Sequence, residues 1–137
     1  MNDESTVIET FRDYTEAFRK LDPKALLPFY HYPALVIDKD KGPKILIHPI
    51  IGFIGFSNVL RDLRKQGYGY SKLHELSAKQ LSKNVVIVSG TATRCRKDDT
   101  KIEDIGFTYT LQKTLKGWKI VVGIIHNTET FLTLPKS

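Results

Sequence analysis

Tyr14, Asp38, Tyr109 and His126 are the side chains from which this sequence could assemble acid–base chemistry without a cofactor. Tyr14 is the hydrogen-bonding residue in the middle of an apolar stripe. Its hydroxyl must meet a protein partner or a ligand, because leaving it buried and unpaired costs about 1–3 kcal/mol. Asp38 ends a strand pattern and enters the charged turn Asp38-Lys39-Asp40-Lys41. Burial would raise its pKa and make it a base, whereas the nearby lysines and solvent would keep it an ordinary turn carboxylate. His126 closes the last apolar run in the same alternation as Trp118 and Ile124. An imidazole titrating near neutrality could give or take a proton there, or simply sit satisfied at a rim.

Two further groups suit a ligand rather than a reaction. Tyr30-His31-Tyr32 sets three hydrogen-bonding rings in a row, fit for a small organic molecule or for a capping and packing corner. Phe53 and Phe56 fall with Leu60 and Leu63 on a helical stripe, and with Tyr109 they could line a pocket or plug it.

Other chemistries find little support. His31, His48, His74 and His126 are dispersed and a second cysteine is lacking, so no metal site is expected. Gly52 and Gly55 are not followed by the lysine of a phosphate loop, and there is no Gly-x-Ser-x-Gly elbow. No cofactor is expected. Cys95 lies between Arg94 and Arg96, which would favour thiolate if they shared its face. Strand alternation turns both arginines to the opposite face, so an inert buried cysteine is the better reading.

These residues sit in 137 residues of which 41% are hydrophobic and 26% charged, the balance of one globular domain spanning 1–137. No apolar run approaches the roughly 20 residues needed to cross a bilayer. The acidic, polar start lacks the pattern of a signal peptide, and a lone cysteine cannot form an internal disulfide, so a cytoplasmic setting is expected. The net charge of +6 would suit nucleic acid, but the lysines and arginines are scattered over turns and solvent-facing positions. They read as a solvated surface, and nucleic acid is not the expected partner.

The elements that must position the candidates follow from periodicity. Asn2 to Ser5 can cap a helix running to about Leu21, with Val7, Phe11, Tyr14, Phe18 and Leu21 on one face. Asp22-Pro23 opens a short second helix reaching Tyr30, and His31-Tyr32-Pro33 breaks it. Ala34–Asp38 and Lys44–His48 form a small hairpin, and Pro49 begins a third helix to about Gln66. A meander follows: an irregular strand over 71–81, then 85–96, 102–114 and 118–126. Helices first and strands afterwards predict an α+β fold, three helices on a curved antiparallel sheet. The run Ile120–Ile125 is apolar on both faces apart from Gly123, so helices should cover one face and a second subunit the other. A homodimer is expected, with Val121 and Ile125 on the outer side.

The opening FRDYTEAFRKLDPKALLPFY and the strand start Lys116-Gly117-Trp118-Lys119-Ile120-Val121, in this order of elements, resemble the nuclear transport factor 2-like superfamily. That group includes SnoaL-like and ketosteroid isomerase-like proteins. The resemblance runs from about Val7 to Phe131 and implies a cone with a pocket between helices and sheet. Against the isomerase pattern, its helix tyrosine falls on Tyr14 and its proton-shuttling aspartate on Asp38. The second oxyanion donor of that pattern is an acid, and the stretch Ile105-Gly106-Phe107-Thr108-Tyr109 offers none. The resemblance implies a small hydrophobic or polar organic ligand and, where catalytic, isomerase- or dehydratase-type chemistry. It equally admits a non-catalytic interaction or accessory domain.

Overall fold

The computed structural model describes residues 2–135. Helix α1 spans Asp3–Ala17 and is capped by Asn2, whose side chain accepts the Ser5 N–H at 2.8 Å. A 3₁₀ turn, Phe18–Lys20, continues it to Leu21, whose positive φ of 50° ends the run. Asp22 caps α2, Pro23–Leu26, which tightens into a second 3₁₀ turn over Leu27–Phe29. The helix stops short of Tyr30 because Pro28 has no N–H for the α-helical ladder.

Strand β1 (Tyr30–Asp38) therefore begins earlier than the sequence pattern implies and takes in the Tyr30-His31-Tyr32 corner. Strand β2 (Gly42–Leu46) completes the small hairpin. Helix α3, Pro49–Lys65, is capped by His48, whose Nδ1 accepts the Ile50 N–H at 3.1 Å. Strands β3 (Tyr68–Ser82), β4 (Val85–Arg96), β5 (Lys101–Thr114) and β6 (Gly117–His126) form the long meander. The sheet order is β2-β1-β6-β5-β4-β3. Its pairs are antiparallel except β1 with β6, where the chain from the helical layer enters beside the last strand.

One irregularity decides which side chains face the helices. Between Thr110 and Leu111 the β5–β6 register skips Val121, so Leu111 pairs with Ile120 and Thr110 with Val122. The extra residue reverses the alternation. Trp118, Ile120, Gly123 and Ile125 lie on the inner, helix-covered side. Val122, Ile124 and His126 lie outside, in register with Thr110, Thr108 and Gly106. Ile125 is thus not an outer-face residue, and His126 does not share a face with Trp118.

The inner face carries the core. Phe11 of α1 stacks on Phe107 at 4.8 Å and meets Tyr109 edge-on at 5.1 Å. Val7, Leu26, Val86, Val88, Leu111 and Ile120 are each 1% exposed or less, so burial contributes roughly 1.5–3 kcal/mol per side chain. On α3 the buried line is Gly52, Phe56, Leu60 and Leu63, and Phe53 is turned outward, 39% exposed. Gly52 takes the inward place because the ring of Tyr32 lies there; a Cβ would stand 2.9 Å from its Cε1. Cys95 is buried and free.

The segment after β6 lies on the outer face. Leu132 N–H donates to Ser89 Oγ at 2.8 Å and Leu134 N–H to Ser77 Oγ at 3.4 Å. It covers the β3–β4 side and leaves Leu35, Ile37, Val122 and Ile124 of β1 and β6 half-buried. Among the described residues no helix is long and apolar enough to cross a membrane.

Candidate functional site

Between α1, α3, the β1–β2 hairpin and the inner sheet face lies an open cavity of about 610 Å³. Tyr14, Tyr30 and Tyr109 meet at its floor and are 4–5% exposed. Each reaches it from a different element, α1, β1 and β5. The Tyr14 and Tyr30 hydroxyls are hydrogen-bonded at 2.6 Å. Phe18, Val36, Phe56 and Ile125 supply apolar wall, with Phe56 against the Tyr30 ring at 4.9 Å.

Burial raises the pKa of Tyr14 well above the usual phenol value, and the neighbouring Tyr109 and Tyr30 hydroxyls add to the rise. Tyr30 is raised well above it for the same leading reason. Tyr109 is also raised by burial, while the Tyr14 hydroxyl and the Arg94 charge pull it partly back. All three are therefore protonated near neutrality. Within the Tyr14–Tyr30 bond one hydroxyl donates and the other keeps its proton, for the neighbouring Tyr109 oxygen or for a ligand. The floor is a donor site, suited to a carbonyl, a phenolate or a carboxylate.

Charged groups surround the upper part. Arg94 of β4 and Glu103 of β5 are register partners on the inner face and pair at 2.9 Å. Across the mouth, Lys41 of the hairpin reaches Asp62 of α3 at 3.1 Å, each about half exposed. A smaller recess of about 40 Å³ is lined in part by the same Tyr14, Phe18, Arg94, Tyr109 and Ile125.

The sequence candidates divide clearly. Tyr14, Tyr30, Phe56 and Tyr109 come together in the cavity. Asp38 joins its rim, since its register with Ile125 turns it inward. It is also a turn residue, because its Oδ1 accepts the backbone N–H groups of Asp40 at 2.8 Å and Lys41 at 3.1 Å. The other three lie elsewhere. His31 bonds the Pro33 carbonyl through Nδ1 at 2.9 Å. Tyr32 donates to the Leu27 carbonyl at 3.0 Å and packs on α3. His126 sits on the outer face, its Nε2 2.8 Å from Thr108 Oγ1 and its Nδ1 2.8 Å from the Asn127 carbonyl. The carbonyl can only accept, so Nδ1 donates to it.

The cavity residues that sequence reasoning passed over include Arg94, Glu103, Lys41, Asp62 and Ile125. Alternation could separate Arg94 from Cys95, but the cross-strand register that pairs it with Glu103 is a property of the folded sheet.

The chain matches the family of NTF2-like proteins described as DUF6841 over residues 3–128. It belongs to that family. No curated protein matches it. Solved structures of NTF2-like proteins share its fold. One of unknown function from Pseudomonas putida superposes with a TM-score of 0.73 at 11% identity, covering 90% of this chain and 84% of its own. Another from Shewanella oneidensis, also of unknown function, gives 0.68 at 19% identity over 88% and 96%. A candidate ketosteroid isomerase from Parabacteroides distasonis gives 0.67 at 13% identity over 94% and 90%. At such identities the likeness is one of fold, and the chemistry of this NTF2-like protein must be argued from its own cavity. There the isomerase pattern is incomplete. Thr108 points outward to Ser89 at 2.9 Å, Tyr109 takes the inward place, and the β5 acid that lines the cavity is Glu103, already paired with Arg94.

Proposed function

We propose that this NTF2-like protein binds a small organic molecule, with a hydrogen-bond acceptor seated on the tyrosine floor and an apolar body along Phe18, Val36, Phe56 and Ile125. The observation that carries this reading is the meeting of Tyr14, Tyr30 and Tyr109 from three separate elements at the bottom of an open cavity. Its volume of about 610 Å³ falls in the roughly 300–1,000 Å³ range of ligand pockets. Phe53 is turned outward, so the aromatic plug that a pure interaction domain calls for is incomplete.

Binding without turnover is the form of this reading that the rim favours. A base must be free to take a proton, and one Asp38 oxygen is committed to two backbone N–H groups. The half-buried row Leu35, Ile37, Val122 and Ile124 supports pairing of two copies through the outer sheet face. A cytoplasmic setting completes the proposal, supported by the lone, free Cys95.

The test is thermal-shift screening against aromatic ketones and aryl carboxylic acids, followed by calorimetry on variants. Tyr14→Phe should weaken a hit by about tenfold, the worth of one good hydrogen bond, while Asp38→Asn binds as the wild type does. Equal binding by Tyr14→Phe would remove the tyrosine floor from the reading. Turnover of a hit that Asp38→Asn abolishes would replace binding with catalysis.

A further inference from the structure

The tyrosine floor explains a hydrogen-bonding ligand but not why a guanidinium lines the same cavity. The Arg94 side chain is 17% exposed and that of Glu103 35%, so this pair is shielded far better than Lys41 with Asp62 at the mouth. Arg94 uses Nη1 to reach Glu103 Oε2, and among the described residues it bonds no other acceptor. A guanidinium has five N–H donors in a fixed planar fork. No buried side-chain nitrogen or oxygen among the described residues lacks a partner. The unused donors of Arg94 are therefore not sealed in the core, and Arg94 is one of the residues that line the cavity. Arg94 also lines the recess with Tyr14 and Tyr109, and its charge acts on the Tyr109 hydroxyl.

We propose that the ligand is a carboxylic acid with an apolar body, and that the free edge of Arg94 selects its carboxylate beside Tyr109. A planar carboxylate can lie against one edge of the guanidinium while Glu103 holds the other. Glu103 lies on the other edge, so a dianion such as phosphate meets more repulsion there than a single carboxylate does. Among the lining residues Lys39, Lys41, Lys44, Lys65 and Arg94 outnumber Asp38, Asp40, Asp62 and Glu103 by one, a slight bias toward anions. The role of Glu103 is to orient the guanidinium. This inference rests on the cavity being a ligand site at all, and the experiment separates the two.

Isothermal titration at low salt with 1-naphthylacetate and 1-naphthylacetamide compares one body with and without the charge. Wild-type protein should bind the acid at least about tenfold more tightly than the amide, as a charge-assisted bond requires. Arg94→Gln should erase that preference by weakening the acid far more than the amide. Glu103→Gln frees the guanidinium and should sharpen the preference for the acid. Should Arg94→Gln fail to fold by circular dichroism, Arg94→Gln with Glu103→Gln removes both charges together and carries the same expectation. Equal binding of acid and amide to the wild type overturns the carboxylate proposal and leaves the cavity reading standing. A preference that survives Arg94→Gln moves the selection to the rim lysines and overturns it too. Binding of neither compound overturns both.

Discussion

Tyr109 lies directly over Gly123, its ring so close that a Cβ on Gly123 would stand 2.7 Å from Cε2 and 3.1 Å from Cδ2. The two residues are register partners on β5 and β6. The missing side chain makes room for the third phenol of the cavity floor. Gly123→Ala should therefore push Tyr109 away from Tyr14 and cost about 1–3 kcal/mol of stability, the usual penalty of overpacking. Urea unfolding measures the loss, and ligand affinity should fall with it. Wild-type stability in this variant would mean that the ring yields without cost.

Tyr14 and Tyr30 should behave as a coupled pair. Tyr14→Phe takes the 2.6 Å partner from the Tyr30 hydroxyl, leaving it the Tyr109 phenol alone, and should destabilise by about 1–2 kcal/mol. Tyr14→Phe with Tyr30→Phe should cost less than the sum of the single changes, because the hydroxyl that lost its partner goes too. Strict additivity in a double-mutant cycle would count against the 2.6 Å bond.

Alkaline pH should unfold the protein through the same residues. Tyr14, Tyr30 and Tyr109 have folded-state pKa values above the ordinary 10.0, mainly through burial. Tyr32 is pushed up to about 12. A raised phenol pKa means that the folded state holds its proton longer than the unfolded chain does. This contribution is full below pH 10.0 and is lost as pH climbs from there through the folded values. Phenolate absorbance should rise together with loss of the circular dichroism signal. Smooth titration of every tyrosine while the fold persists would contradict the buried floor.

Neighbours on β6 should respond oppositely to charge. Ile125 faces the cavity and packs against the core, so Ile125→Lys should destabilise the protomer. Ile124 faces outward, so Ile124→Lys should leave the protomer folded and shift sedimentation from dimer to monomer. Wild-type protein sedimenting only as a monomer at micromolar concentration would remove the proposed pairing.

Asp38 should prove structural before it proves chemical. Asp38→Ala removes an acceptor for two backbone N–H groups and should cost about 1 kcal/mol, whereas Asp38→Asn keeps an oxygen in place and should cost little. Equal losses in the two variants would point to the charge instead of the turn.

The order of elements, the helix caps at Asn2 and Asp22 and the stripe Val7-Phe11-Tyr14 were all legible in the chain. Each depends on contacts only a few residues apart and on the helical period. So was the α+β architecture, and so was the likeness that led to Tyr14 and Asp38. What the tertiary structure decided was facing. Skipping Val121 reverses the alternation of β6, which places Ile125 in the cavity and His126 outside, and no local pattern marks that bulge. The Tyr32 ring against Gly52 sets the rotation of α3 and turns Phe53 outward, a contact between residues twenty positions apart. Arg94 meets Glu103, and Tyr14 meets Tyr30, only once register and helix packing have brought distant stretches together. Residue types and periods are local properties, but a site depends on which faces converge, and that is settled by long-range packing.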